Sequence, residues 1–141
     1  MPVVRLALSV LRETYAVCRL GKDDPVPKWA LTGPFRSITR DEKELSIVCF
    51  QTAVPEEIIA ERDWRCLAVD GPLGFSLVGI LVSLLSPLAD VGIGIFVVST
   101  YDTDFLFVKE RDLEIAIHAL SNAGHLISWK EKSEAESSFQ V

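Results

Sequence analysis

The amino-acid sequence predicts an α+β fold, in which an antiparallel sheet carries helices on one face. Two observations support this prediction. Short apolar runs of strand length alternate with stretches that have helical periodicity. The 141-residue chain is also 49% hydrophobic and 24% charged, which provides material for a sizeable core and is unlike a disordered chain.

The first half of the chain predicts mainly extended segments joined by turns. Two strands, Val3–Leu11 and Thr14–Leu20, are joined by a turn at Arg12–Glu13. Prolines in the loop GKDDPVP exclude regular structure there. The later elements are a short edge strand in KWALTG, an extended piece in RSITR, a charged turn in DEKE, a buried strand in LSIVCF and a short helix in AVPEEIIAE.

The second half of the chain alternates strands with helices. DWRCLAVDG predicts a strand that ends at a glycine, and a helix follows from Phe75 or Ser76. This helix ends before Gly92, and Pro87 is expected to kink it or to mark its last turn. IGIFVVST, DFLFVKE and HLISW predict strands, and the amphipathic helix RDLEIAIHALSNAG precedes the last of them. The β-α-β-β-α-β order is that of a ferredoxin-like, four-stranded sheet with two helices on one face.

Two similar segments suggest that the chain contains two modules. Ser37–Ile58 can be laid over Val98–Ile117: in both, a hydroxyl residue ends a strand, acidic residues follow, and then come a strand and an acidic first helical turn. Spacing alone leaves this duplication open. The predicted division is an N-terminal module over 1–61, a C-terminal module over 62–130 and a polar tail over 131–141.

Composition and motif content argue against several function classes. The net charge is −6 without a Lys/Arg cluster, which argues against nucleic-acid binding. The sequence contains no phosphate-binding loop, nucleophile elbow or zinc-protease motif, and its histidines have no partners at metal-ligand spacing. We therefore expect no catalytic residues, no metal and no cofactor.

The apolar segments favour a cytoplasmic protein with no membrane association. The N-terminus lacks the features of a signal peptide. The uncharged segment from Gly71 to Ala89 has the length of a membrane span, but its prolines, glycines and serines favour a buried helix. Cys18, Cys49 and Cys66 each lie in an apolar run, so they are expected to be small buried side chains in a reduced compartment.

Two polar segments are candidates for a binding site. In DGPLGFS, small residues between a strand and a helix allow a ligand to approach the backbone, and the helix start attracts anions. The alternative is a tight turn in which Ser76 caps the helix. In STYDTD, the polar side chains could bind an ammonium group and, through Asp102 or Asp104, a cationic side chain. The alternative there is a turn whose Asp and Thr residues bond their own backbone.

These two segments are expected to be neighbours. In a β-α-β-β-α-β module, the first strand and the strand after the helix both end at the same edge of the sheet. DGPLGFS and STYDTD follow those two strands. The order of the elements therefore predicts a shared cradle for a free amino acid.

At these residues the chain resembles the ACT-domain proteins. The resemblance lies in ELSIVCFQTAVPEE, WRCLAVDGPLGFSLVGIL, PLADVGIGIFVVSTYDTDFLFVKE and ALSNAGH, and it runs from about Ser37 to His125. The first 35 residues match more loosely. The nearest type is the small stand-alone one with two ACT-like modules, related to the arginine-sensing CASTOR proteins and to aspartate kinase regulatory regions.

The resemblance implies two tandem ferredoxin-like modules that bind an amino acid at a module interface without catalysis. It supports the internal duplication and a homodimer. Carried over residue by residue, it implies ligand contacts at Gly71, Leu73, Phe75, Ser76, Thr100, Tyr101 and Asp104. Asp104 matches the acidic residue that would meet a cationic ligand side chain.

The sequence is compatible with three functions. The first is a small amino-acid-binding regulatory protein. The second is an interaction module without a small ligand, which would assemble through a sheet edge or a helix face. The third is an enzyme that uses the carboxylates of Asp102 and Asp104, but no nucleophile, metal set or second base accompanies them.

Overall fold

The computed structural model of the chain describes residues 4–71 and 79–130. Within these residues the fold is α+β and ferredoxin-like, as predicted. The strands are β1 (Ala7–Leu20), β2 (Arg36–Arg40), β3 (Leu45–Phe50), β4 (Ala60–Val69), β5 (Ile95–Ser99), β6 (Asp104–Lys109) and β7 (Leu126–Trp129), and the helices are α1 (Ile80–Asp90) and α2 (Leu113–Asn122).

The chain divides into two compact units. The described part of unit one comprises residues 4–12, 65–71 and 79–130, and that of unit two comprises residues 13–64. Strands β1 and β4 therefore each contribute residues to both units. The division into two repeated modules, over 1–61 and 62–130, stays a prediction. The predicted tail at 131–141 lies outside the described residues.

Unit one contains the predicted strand and helix order, with one additional strand. Strands β1, β4, β6 and β5 are neighbours in that order, and β7 pairs in parallel with β1, from Ala7–Leu126 to Val10–Trp129. The expected sheet had four strands, all antiparallel. The N-terminal strand instead supplies β7 with its partner, because β1 lies between β4 and β7.

The core of unit one lies on one face of its strands. Alternate residues of β1, β4 and β6 point to the same face because side chains alternate along a strand. Both helices pack there through residues at helical spacing, which places them on the same side, as predicted. The buried members are Leu8, Val10, Leu67, Val69, Leu106 and Val108 from the strands and Ile80, Leu84, Leu88, Leu113, Ala116 and Leu120 from the helices.

Unit two is built from the antiparallel strands β2, β3 and β1, and the second half of β1 pairs with β3 from Tyr15–Phe50 to Leu20–Leu45. Cys18, Cys49 and neighbouring aliphatic side chains form its core. The Tyr15 ring contacts Phe35 and Phe50 edge-on at centroid distances of 5.6 and 5.2 Å. This geometry is favourable for aromatic pairs.

Three predicted elements of the N-terminal half are wrong. The two strands joined at Arg12–Glu13 are a single strand, β1. KWALTG contains a 3₁₀ turn over Lys28–Leu31 and no edge strand. AVPEEIIAE contains no α-helix, and its central residues form a turn closed by a hydrogen bond from the Ile58 N–H to the Pro55 carbonyl, at 3.2 Å.

The two helices of unit one are close to their predicted positions. Helix α1 begins at Ile80, after Gly79 with a φ of 83°, and Pro87 lies in its last turn. The predicted start at Phe75 or Ser76 lies outside the described residues. Helix α2 is followed by Gly124 with a φ of 99°, a conformation that favours glycine, as predicted for its C-terminal cap. Neither of these two helices is long and apolar enough to cross a membrane.

Candidate functional site

The hairpin between β5 and β6 is the centre of the candidate site. Ser99 is the last residue of β5 and pairs with Asp104, the first residue of β6. The Thr100 N–H donates to the Thr103 carbonyl at 2.8 Å, so the loop itself consists of Tyr101 and Asp102. Neither loop residue has a positive φ, so the hairpin does not use the glycine-favouring turns that usually close such loops.

Hydrogen bonds between Thr100 and Thr103 stabilise this hairpin loop instead. The Thr103 N–H donates to Oγ1 of Thr100 at 3.2 Å, and the Thr100 hydroxyl lies 3.2 Å from the Thr103 carbonyl. These bonds are those expected of a turn that satisfies its own backbone. Thr100 therefore has a structural role in the free protein.

A direct hydrogen bond joins the hairpin to the end of β4. Oγ1 of Thr103 donates to the Val69 carbonyl at 2.6 Å. Val69 is the last residue of β4, and Asp70 and Gly71 follow it. The predicted neighbourhood of STYDTD and the start of DGPLGFS is therefore confirmed.

The end of β4 is also attached to β1. The Asp70 N–H donates to the Ala7 carbonyl at 2.8 Å, and the Ser9 hydroxyl donates to Oδ1 of Asp70 at 2.9 Å. The Asp70 carboxylate is thereby held at the end of β4 by a bond to β1, which lies on the side of β4 away from β6.

Asp104 is partly buried at the start of β6. Its Oδ1 accepts a hydrogen bond from the Ser99 hydroxyl at 2.5 Å. A carboxylate has acceptor capacity for several bonds, so the bond from Ser99 does not exhaust that of Asp104.

The other sequence-predicted residues lie at different places. Gly71 is exposed at the end of β4, and Thr100 is exposed in the turn. Tyr101 is 83% exposed at the hairpin tip. Leu73, Phe75 and Ser76 lie outside the described residues. The part of the site that the structure brings together is therefore the hairpin and the end of β4.

Sequence reasoning did not select Thr103, Asp70 or Ser9. Thr103 and Asp70 belong to the two candidate segments, and the polar residue at each strand end was the signal that could have found them. Ser9 carries no such signal, because its position beside Asp70 depends on the pairing of β1 with β4.

The corresponding hairpin of unit two uses its acidic residue for the turn. Oδ1 of Asp41 accepts hydrogen bonds from the N–H groups of Lys43 and Glu44 at 2.8 and 2.9 Å. These two bonds hold the pKa of Asp41 below its ordinary value, and the bond from Lys43 has the larger effect. The Asp41 carboxylate is therefore committed to local structure.

Cys18 and Cys49 form a hydrogen-bonded pair of buried thiols in unit two. The bond between them raises the pKa of Cys49, and burial raises it further. The same bond is the main cause of a lowered pKa at Cys18. Cys66 is also buried. All three thiols are buried, as the sequence predicted.

The described residues offer no grouping of three or more His, Cys, Asp or Glu side chains that could hold a metal ion. The hairpin carboxylates of Asp102 and Asp104 accordingly stand without a metal set in this part of the chain. The chemistry that the arrangement offers is hydrogen bonding and charge pairing with a polar ligand.

Family models match two stretches of the chain. The model described as the ACT domain matches residues 59–122, which include the hairpin and the end of β4. A second model, described as an N-terminal domain, matches residues 13–57.

Known proteins resemble different shares of the chain. The cytosolic arginine sensor for mTORC1 subunit 1 of Bos taurus is 32% identical over 98 residues, which cover 62% of this chain and 30% of the relative. The chain thus spans about a third of the length of the curated relatives it matches.

Two solved structures resemble most of the chain. A crystal structure of an Agobacterium tumefaciens protein is 42% identical, covers 91% of this chain and 96% of that one, and has a TM-score of 0.86. The ligand-free regulatory subunit of aspartate kinase from Thermus thermophilus covers 86% of this chain and 98% of its own, with a TM-score of 0.57 and 17% identity. At that identity, the second likeness concerns the fold alone.

Proposed function

Because the chain belongs to the ACT-domain proteins, we propose that it is a regulatory protein that binds a free amino acid without catalysing a reaction. The ligand lies between the β5–β6 hairpin and the segment that follows β4. Its contacts are those that the resemblance implies, namely Gly71, Leu73, Phe75, Ser76, Thr100, Tyr101 and Asp104.

One observation supports this site above the others. The bond from Thr103 to the Val69 carbonyl, at 2.6 Å, holds the hairpin against the end of β4. A ligand that spans both segments would meet backbone groups after β4 and side chains of the hairpin. These are the polar groups needed to orient a zwitterion.

The charges at this edge favour a cationic amino acid. Asp70 and Asp104 both have one carboxylate oxygen held by a serine hydroxyl, at 2.9 and 2.5 Å respectively. Carboxylates fixed in this way can pair with a guanidinium or ammonium group at little cost in side-chain entropy. The arginine sensor among the relatives makes L-arginine the first probe.

Calorimetric titration tests the proposal. We expect L-arginine or L-lysine to bind at millimolar concentration or below, and L-citrulline and L-glutamate to bind more weakly. Asp104→Asn should weaken binding of the cationic ligand about tenfold or more, since a charge-assisted bond is lost. Asp102→Asn, at the exposed tip of the same hairpin, is the matched control and should leave affinity unchanged.

The proposal includes a homodimer in the cytoplasm, with ligand held where ACT modules meet. Ligand binding would shift that interface with a coupling free energy of about 1–3 kcal/mol. Mass measurement in solution with and without amino acid tests the homodimer, and a monomer under both conditions would contradict it.

An interaction module without a small ligand is the second candidate. The observation that favours it is the outward face of α1, where Leu81 and Val82 are 37% and 69% exposed. Exposed apolar surface on a helix can bind another protein. If none of the twenty amino acids gives heat or raises the melting temperature of the chain, this candidate replaces the first.

A further inference from the structure

His125 makes two side-chain hydrogen bonds inside unit one. Its ring is buried, with 5% of the residue exposed. The Leu6 N–H donates to Nδ1 at 3.1 Å, and Nε2 lies 2.9 Å from the Ser83 carbonyl. Because Leu6 can only donate and Ser83 only accept through these atoms, the ring is assigned as the neutral tautomer that carries its proton on Nε2.

The bond to Ser83 compensates for a proline in α1. In an α-helix the carbonyl of residue 83 accepts from the N–H of residue 87. Residue 87 is Pro87, which has no N–H. His125 supplies the missing donor from outside the helix, so the Ser83 carbonyl is not left unpaired at the point where the helix ladder is interrupted.

The bond from Leu6 continues to the candidate site through β1. The Leu6 carbonyl accepts from the Leu126 N–H at 2.9 Å, which ties the start of β1 to β7. The next residue, Ala7, accepts from the Asp70 N–H at 2.8 Å, and Ser9 donates to the Asp70 carboxylate. The chain segment that His125 fixes is therefore the one that holds Asp70 in place.

We propose that His125 is a positioning residue of the amino-acid site, which fixes the β1 segment that orients Asp70 while it separately stabilises α1 at Pro87. This inference rests on the proposed function. The two hydrogen bonds of the His125 ring have separable effects. The bond from Nε2 stabilises α1, and the bond to Nδ1 fixes the geometry of the site.

Three variants separate the two effects. His125→Leu removes both bonds. In His125→Leu combined with Pro87→Ala, the N–H of the new alanine donates to the Ser83 carbonyl, so only the Leu6 bond remains lost. His118→Leu, an exposed histidine on α2, is the matched control. The melting temperature, the affinity for L-arginine and L-lysine, and the NMR exchange rate of the Asp70 amide are measured for each.

We expect His125→Leu to lower the melting temperature, to accelerate exchange of the Asp70 amide and to weaken binding about tenfold, which corresponds to about 1.4 kcal/mol. In the double variant the melting temperature should recover, while the affinity and the Asp70 exchange rate stay as in His125→Leu. His118→Leu should match the native chain in all three. Should His125→Leu fail to fold, the double variant carries the comparison.

Two results would overturn the inference. One is an affinity that recovers together with the melting temperature in the double variant, since His125 would then act through stability alone. The other is unchanged exchange of the Asp70 amide without His125. If the native chain binds neither amino acid, the proposed function fails instead, and the Asp70 exchange rate still decides whether His125 positions that residue.

Discussion

Gln51 and Asp63 form a reciprocal pair of hydrogen bonds within unit two. The Asp63 N–H donates to Oε1 of Gln51 at 2.6 Å, and Nε2 of Gln51 donates to Oδ1 of Asp63 at 3.0 Å. Asp63 has a φ of 65°, and no other non-glycine among residues 4–71 and 79–130 has a positive φ. The Gln51 amide thus holds β4 in a conformation that few residues adopt.

Substitutions at this pair should reveal the strain. We expect Gln51→Ala to lower the free energy of unfolding by about 1–2 kcal/mol, because both bonds to Asp63 are lost. Asp63→Val should lower the free energy of unfolding by ~1–2 kcal/mol more than Gln51→Ala does, because a branched side chain disfavours positive φ. Urea denaturation measures both, and Asp63→Asn, which tolerates this conformation, is the control. Equal stability of the valine and asparagine variants would contradict the argument.

Thr103 should contribute to stability through its bond to the Val69 carbonyl. Thr103→Val keeps the shape of the side chain and removes the hydroxyl, so we expect a loss of about 1 kcal/mol. Ser86→Ala, an exposed hydroxyl of α1, should change stability little. Thermal denaturation of both variants checks this, and equal melting temperatures would show that the hairpin is not held by Thr103.

Asp41 should make the stability of the β2–β3 hairpin depend on pH. Its pKa lies below the ordinary 3.8 in the folded chain, so folding favours the charged carboxylate. Its contribution is complete above about pH 4 and is lost as the pH falls through the lowered pKa. Asp41→Ala should therefore melt at a lower temperature than the native chain at pH 7, and the difference should shrink toward pH 2. A pH-independent difference would exclude the carboxylate as its source.

The cysteine thiols should resist modification in the folded chain. Cys18, Cys49 and Cys66 are buried, and the raised pKa of Cys49 keeps its thiol protonated. We expect iodoacetamide at pH 8 to label none of the three in the native protein and all three in urea, as mass spectrometry would show. Labelling of Cys49 without denaturant would contradict the buried position.

The sequence predicted the C-terminal half of the fold well because each element there has its own strong pattern. The hairpin, α2 and β5 to β7 appear where periodicity placed them, while β4 and α1 overlap their predicted spans. The order of these elements was also sufficient to predict that STYDTD lies beside the end of β4, which the bond from Thr103 to Val69 confirms. The contacts of Leu73, Phe75 and Ser76 stay predictions.

The N-terminal half could not be predicted in the same way, because its structure depends on distant partners. Arg12 and Glu13 look like a turn, yet β1 continues through them since its first part pairs with β7 and its second with β3. AVPEEIIAE has helical composition, but Arg62 donates to the Pro55 and Ile58 carbonyls at 3.1 and 3.4 Å. Those bonds occupy carbonyls of the single turn that the Ile58 N–H closes, and Ile59 is left 73% exposed.

The place of β1 in unit one bears on how the chain can be cut for experiments. A fragment beginning at β4 would keep both α-helices and the β5–β6 hairpin, but it would leave β7 without its parallel partner and Asp70 without Ala7 and Ser9. Dissection at the midpoint would therefore yield two incomplete pieces. A fragment that contains the C-terminal half must also include residues 4–12, either in the intact chain or fused after β7 in a circularly permuted one.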